Sequence, residues 1–458
     1  MRLLIDSSPV FAVIPIPGVD ASFEGFDPGS LFRVVLALAV LCGFAWVMSS
    51  NRRAFPWRVV LGGIGLQILI GFVLLRIPLT SRLFEAFARQ VSVAIGMAEK
   101  GSIFLFGELA APDGPAGFVF AFRVLPVIVY FAAVMAVLYH IGVMPRIIAG
   151  MAWIMRRTLG VSGAEAVTVS ANVLVGQTEA PLCVKPFLSL MTRSQLMVVM
   201  ASGFATIAGS VFAGYVEFLG GDDEASRILF AKHLMTASLM SAPAAFVMAK
   251  IILPETEKEP EETMASTVAI ERPAANAIDA VVLGAADGLR LALNVGAMLV
   301  AFIAILALLD WPVSALGDWR PIAEWRASHG YEAWSIQGGL GILFQPVAWL
   351  IGAPAGDVGV IGRLLATSLI ATEFVAYLDL SSLVADQGIS RSGTIVVAYA
   401  LCGFANIPSL AIQIGGLGAL APSRRAEISV IAPRALVAGV LACWCTATVA
   451  SVMVGIEG

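Results

Sequence analysis

Apolar runs of about twenty residues recur along this chain, each closed by polar or basic residues, and about twenty is the length a helix needs to cross a bilayer core. Residues 31–49 form the first run and are followed at once by Asn51, Arg52, Arg53 and Arg58. Residues 57–79 form the second, and 118–143 the third, which ends before Arg146, Arg156 and Arg157. Arginine clusters stay on the cytoplasmic side, so these loops are predicted inside and the N-terminus outside. Residues 80–100 mix Arg82, Glu85, Arg89 and Glu99 with apolar positions, a pattern suited to lying in the membrane interface. Further runs at 195–219, 232–253, 277–309, 393–421 and 432–454 bring the expectation to about eight spans, with the C-terminus also outside. Trp311, Trp319, Trp325 and Trp334 mark 310–334 as outer interface. Residues 335–352 are too short and too broken by Gly and Pro to count as a span.

Two stretches do not fit one continuous helix. Residues 160–191 contain Gly176, Pro181 and Pro186, and 358–386 occupies the matching place in the second half. Each carries Thr-Glu and is followed by Gly-Phe-Ala-(Thr/Asn)-Ile: Thr178, Glu179 and residues 203–207 against Thr372, Glu373 and residues 403–407. Interrupted apolar segments at corresponding places of two halves point to a transporter built on an inverted repeat, with its site near the midplane. The predicted fold is therefore an all-α polytopic membrane protein of about eight transmembrane helices plus two oppositely inserted re-entrant hairpins. Residues 1–116 form N-terminal spans and an interfacial helix, 117–253 the first repeat, and 276–458 the second. Between them, 254–275 carries Glu255, Glu257, Glu259, Glu261 and Glu262 with almost nothing apolar, as a flexible cytoplasmic linker would.

Composition agrees: 59% of the 458 residues are hydrophobic, only 13% are charged, and the mean hydropathy reaches +0.90, which excludes an ordinary soluble domain. The net charge of −4 and the absence of a basic face give no support to nucleic-acid binding. Five cysteines and three histidines are scattered without metal or nucleophile spacing, so an enzyme is not expected. Asp6, Pro9, Pro15, Pro17 and Asp20 break any cleavable signal peptide, leaving the first span to target the chain. Carboxylates within apolar segments default to function, which singles out Glu179 and Glu373. Arg123, Glu165, Lys185 and Asp287 read as supporting groups. The polar groups cluster at the two hairpins instead of lining a pore, favouring a carrier over a channel.

Several long runs carry a family resemblance: G-Q-T-E-A-P-L at 176–182, H-L-M-T-A-S-L-M-S-A-P-A-A at 233–245, L-R-L-A-L-N-V-G-A-M-L-V-A-F at 289–302, E-F-V-A-Y at 373–377 and C-G-F-A-N-I-P-S-L-A-I-Q-I-G-G-L-G at 402–418. From about residue 30 onward the chain resembles the concentrative nucleoside transporter family. The resemblance implies a homotrimer in the plasma (bacterial inner) membrane, each protomer binding one nucleoside and bringing it into the cell by cation symport. It places Gly176, Gln177, Thr178 and Glu179 on the nucleobase side with Val211, and Glu373, Asn406 and Ser409 on the ribose with Phe404 nearby. It puts a sodium ion on the Asn172 and Thr206 side chains and the Val175 and Ile207 carbonyls, with no other cofactor. A proton-coupled nucleoside carrier, or a carrier of a related nucleobase-like solute, is the alternative. The chemistry suits these residue types, because a carboxylate accepts from vicinal hydroxyls while Gln and Glu together match the mixed edge of a base. Three positions depart from the family pattern: Thr372 where asparagine is usual, Ser368 where lysine is usual, and Ile407-Pro408 before Ser409.

Overall fold

The computed structural model describes residues 28–111, 114, 119–221, 223–257, 274–328 and 335–454. Among these it is all-helical, and seven helical stretches, one of them the pair that covers Arg193–Gly220, are long and apolar enough to cross a membrane. The early elements α1 (Pro28–Val47), α2 (Trp57–Leu75), α3 (Pro78–Phe106) and α4 (Phe120–His140) follow the apolar pattern closely, whereas α5 (Val143–Leu159) is a helix where the arginines Arg146, Arg156 and Arg157 read as a loop. In α3, the expected interfacial helix, Ala88, Ser92, Ile95, Ala98 and Ser102 are buried at three- and four-residue spacing. Leu83, Phe87, Val93 and Met97 are exposed, so apart from Ile95 small residues pack inward while these large ones face outward.

The first interrupted stretch is α6 (Gly163–Asn172), a turn through Glu179, and a 3₁₀ segment over Ala180–Phe187 that packs back on α6. The segment expected as one span at 195–219 is divided into α7 (Arg193–Ala205) and α8 (Gly209–Gly220), and α9 (Glu224–Ile252) follows. In the second half, α10 (Ala277–Gly317) is 41 residues long and runs past the expected interface boundary at residue 309, with Pro312 inside it. That length is roughly 60 Å of helix, about twice a bilayer core. After α11 (Arg320–Ser328) and the short α12 (Ile336–Leu350), the second interrupted stretch is α13 (Val358–Ile370) and α14 (Glu373–Ala385). The span expected at 393–421 is divided like its counterpart, into α15 (Arg391–Ala400) and α16 (Ile407–Leu420), neither long enough to cross alone. The last helix is α17 (Arg425–Val454).

Burial sorts these elements into a core and a periphery. The apolar windows of Arg193–Gly220, Glu224–Ile252 and Pro422–Val454 are 94%, 89% and 78% buried, against 17% to 28% for the spans of α1, α2, α4 and α10. The well-buried helices surround the two breaks, and the sparsely buried ones present Phe32, Val35, Leu61, Leu293, Val300 and Leu308 outward, a surface made for hydrocarbon.

Of the expected linker, residues 258–273 lie outside the described residues. Its first glutamate is not loose: Glu255 Oε2 accepts from Thr192 Oγ1 at 2.7 Å and lies 3.5 Å from Lys250 Nζ. Absence of apolar anchors hid this tie, which is polar. Lys250 also lies 2.6 Å from Glu165 Oε1, and Glu165 Oε2 accepts from Ser162 N at 3.1 Å and Ser162 Oγ at 2.9 Å, closing a capping box at the start of α6. A second buried network joins Arg123, Glu217, Arg227 and Glu99. Glu165 and Arg123 thus hold helices together, as expected of supporting groups.

Candidate functional site

Both halves build a helix break and set a hairpin tip beside it. At the first, Thr206 is extended (φ −125°, ψ 164°) and α8 begins anew at Gly209. Gly209 N donates to Leu174 O at 3.1 Å, tying the hairpin turn to the broken backbone. Gly176 in that turn has φ 121°, and a Cβ there would lie 2.8 Å from both Ala208 Cβ and Glu179 Oε2, so only glycine fits. Thr178 and Glu179 are exposed although Gly176, Gln177 and Ala180 around them are buried.

Asn172 ends α6 against this break. Its Nδ2 donates to Ser202 Oγ at 2.7 Å, while its Oδ1 is buried without a hydrogen-bond partner among the described residues. Thr206 Oγ1 lies 2.8 Å from Ser202 O and 3.1 Å from Asn172 O. One hydroxyl proton serves those carbonyls and the oxygen lone pairs stay available, so Thr206 both bonds back along its helix, as an ordinary helical threonine does, and adds an oxygen beside Asn172. Val175 and Ile207 flank the same contact between turn and break.

At the second break Gly403 has φ 159°, and a Cβ would lie 2.5 Å from Phe204 O and 2.8 Å from Cys443 Sγ. The two breaks therefore cross almost in contact. Cys443 of α17 joins them, its thiol 3.6 Å from Ala205 O and 3.2 Å from Cys402 O. Asn406 caps α16, its Oδ1 accepting from Ser409 N at 2.8 Å, and its Nδ2 donates to Glu373 Oε2. Pro408 sits in the first turn of α16, where a missing N–H leaves nothing unsatisfied, so this departure from the family pattern leaves the Ser409 backbone capped. Thr372 likewise serves as the cap of α14, its Oγ1 accepting from Val375 N at 3.4 Å. Ser368 is buried, a place where a lysine would need a partner.

Each half also reaches into the other. Tyr215 on α8, one turn after Val211, donates to Glu373 Oε1 at 2.7 Å and packs among Phe374, Tyr377 and Phe218. Gln413 on α16 donates to Gln177 Oε1 at 3.0 Å in the first hairpin. Reading the sequence for hairpins and breaks did not single out Tyr215 or Gln413. The signal available was their place, within two turns after each break on the following helix. Glu373, 2% exposed, is thus joined to Tyr215, Asn406 and through it Ser409, with half-buried Phe404 two residues before Asn406.

An all-helical membrane protein with two helix breaks in its core, each beside a polar turn, has the build of a membrane transporter. The chain matches family models described as the Na+ dependent nucleoside transporter N-terminus over residues 36–109 and C-terminus over 233–451, and a nucleoside-recognition gate over 121–222. It is 37% identical to the nucleoside permease NupC of Helicobacter pylori, covering 93% of this chain and 99% of that one. It is 38% identical to human solute carrier family 28 member 3, covering 99% of this chain and 64% of the longer human protein. The structure of CNTnw in an inward-facing substrate-bound state superposes with a TM-score of 0.84 at 36% identity, over 94% of this chain and 99% of that one. The chain belongs to the concentrative nucleoside transporter family.

Proposed function

We propose that this protein is a sodium-coupled symporter that carries nucleosides into the cell. The nucleoside lies between the two hairpins and the helices that follow the breaks. Gly176, Gln177, Thr178, Glu179 and Val211 face the base, and Glu373, Asn406, Ser409 and Phe404 face the ribose. Sodium binds between the first hairpin and the first break, on Asn172 Oδ1, Thr206 Oγ1 and the carbonyls of Val175 and Ile207. Three copies assemble in the inner membrane, with both termini outside and residues 254–275 linking the two repeats in the cytoplasm.

The observation that carries the coupling reading is the buried Asn172 Oδ1, which has no hydrogen-bond partner among the described residues. A buried acceptor left bare costs about 1–3 kcal/mol, and a hard cation that seeks oxygen ligands at unwound backbone removes that cost. Binding there would pin the hairpin turn to the break and so shape the base side of the site. Sodium and nucleoside then strengthen each other's binding by one common factor. Replacing Asn172 or Thr206 with alanine is expected to raise the sodium concentration for half-maximal uptake about tenfold or more, because a charge-dipole contact of about 1.5–3 kcal/mol is lost, with little change at saturating sodium. An unchanged half-saturating concentration in both variants would contradict the site, and uptake driven equally well by protons without sodium would favour the proton-coupled alternative.

A further inference from the structure

The amide of Gln413 is held in one orientation by a group whose chemistry is fixed. Its Nε2 lies 3.1 Å from Met200 O and 3.0 Å from Gln177 Oε1. A main-chain carbonyl only accepts, so the end of Gln413 that faces Met200 is the NH₂ end. The same NH₂ donates to Gln177, and the end of Gln177 facing it is therefore its oxygen. Gln177 is left with its own NH₂ as the polar group free to turn elsewhere, at the hairpin tip beside exposed Thr178 and Glu179. Space for the relay is made by Gly203, where a Cβ would lie 2.2 Å from Gln413 Nε2 and 2.8 Å from Gln177 Cβ. Gln413 is 2% exposed and its Oε1 is buried without a hydrogen-bond partner among the described residues. Rotating the amide to satisfy that oxygen would set it against the Met200 carbonyl, so the orphan marks an orientation the protein enforces.

We infer that Gln413 is a positioning residue for base selectivity: through the relay Met200–Gln413–Gln177 it turns the Gln177 NH₂ toward the substrate and so favours a base with an oxo group there over one with an amino group. This rests on the reading that Gln177 faces the base. An unconstrained glutamine would flip its amide and accept either edge, and selectivity comes from preventing the flip, because the wrong base then leaves donor facing donor.

The test uses purified full-length protein, with uridine and cytidine as probes that share a ribose and differ at an oxo and an amino group. In the wild type, uridine is expected to bind about three- to tenfold more tightly than cytidine, the worth of one hydrogen bond made or refused. Gln413→Met, similar in length but unable to donate, should bring that ratio to within about twofold of unity. It should leave the ratio of uridine to 2′-deoxyuridine unchanged, which a general loosening of the site would not. Equal binding of uridine and cytidine by the wild type overturns the inference without any variant. So does a folded Gln413→Met that keeps the wild-type uridine-to-cytidine ratio. A Gln177→Ala variant separates the two levels: if it binds uridine as tightly as the wild type, Gln177 does not face the base and the underlying site is wrong. If it weakens uridine while Gln413→Met keeps the ratio, only the relay is wrong.

Discussion

Lys250 offers the sharpest structural perturbation. Its ammonium lies 2.6 Å from Glu165 Oε1, and the two side chains are 4% and 0% exposed. Lys250→Met keeps the length and apolar stem of the side chain but strands a carboxylate deep in the protein, with Ser162 still bonded to one oxygen and no cation on the other. Removing one partner of a buried pair costs about 3–5 kcal/mol. Unfolding entropy of about 2 cal/mol/K per residue gives roughly 1 kcal/mol per kelvin for this chain, so the apparent melting midpoint should fall by about 3–5 °C. The second substitution decides the cause. Glu165→Gln removes the stranded charge, and a glutamine at that position still completes the capping box with Ser162. The double variant Glu165→Gln/Lys250→Met should therefore recover to within about 1–2 °C of the wild type. Melting curves of detergent-purified protein, followed by the monodisperse peak remaining after heating, read both. A Lys250→Met protein as stable as the wild type, or a double variant as unstable as the single one, would refute the reasoning.

The remaining expectations bear on the site and its connections. Glu373→Gln should weaken nucleoside binding by roughly ten- to a hundredfold, and a nucleoside lacking the ribose hydroxyl that the proposed site sets against Glu373 should lose little further affinity in that variant, since both changes delete one interaction. Glu179→Gln should add its penalty to that of the deoxy substrate, and calorimetry giving the reverse pattern would exchange the two ends of the site. Gly403→Val should abolish assembly of the crossing, because even a Cβ would meet Phe204 O at 2.5 Å; normal yield and uptake would contradict that packing. Deleting several residues within 258–267 should leave uptake nearly intact, whereas Glu255→Ala should lower stability, its carboxylate being tied to Thr192 and Lys250. Uptake lost on the deletion would show that the segment has a structural task.

The spans were legible because lipid imposes one rule along each apolar run, and the repeated Thr-Glu and Gly-Phe-Ala motifs marked the matching interrupted stretches of the two halves in advance. What stayed hidden depends on contacts between distant elements. Nothing local marks Tyr215 as the partner of Glu373, 158 positions away, or Gln413 as the partner of Gln177, 236 positions away. Both read as unremarkable members of apolar helices until the breaks turn those helices across the opposite half. Each broken span was legible as apolar but not as two pieces, since an extended residue such as Thr206 leaves no periodic trace. Pro408 stood out in the sequence as a departure before Ser409 and is a good first-turn residue in the helix, a distinction that rests on knowing where α16 starts.

Sodium-driven accumulation of a nucleoside is the most direct test. Proteoliposomes containing the purified protein are loaded with potassium buffer and diluted into radiolabelled uridine with sodium outside, with a proton gradient in sodium-free buffer, or with neither. Uridine should rise inside above its external concentration only with the inward sodium gradient, and should leak back when an ionophore collapses it. Accumulation under the proton gradient alone, or equilibration that never exceeds the outside concentration, would contradict sodium-coupled symport.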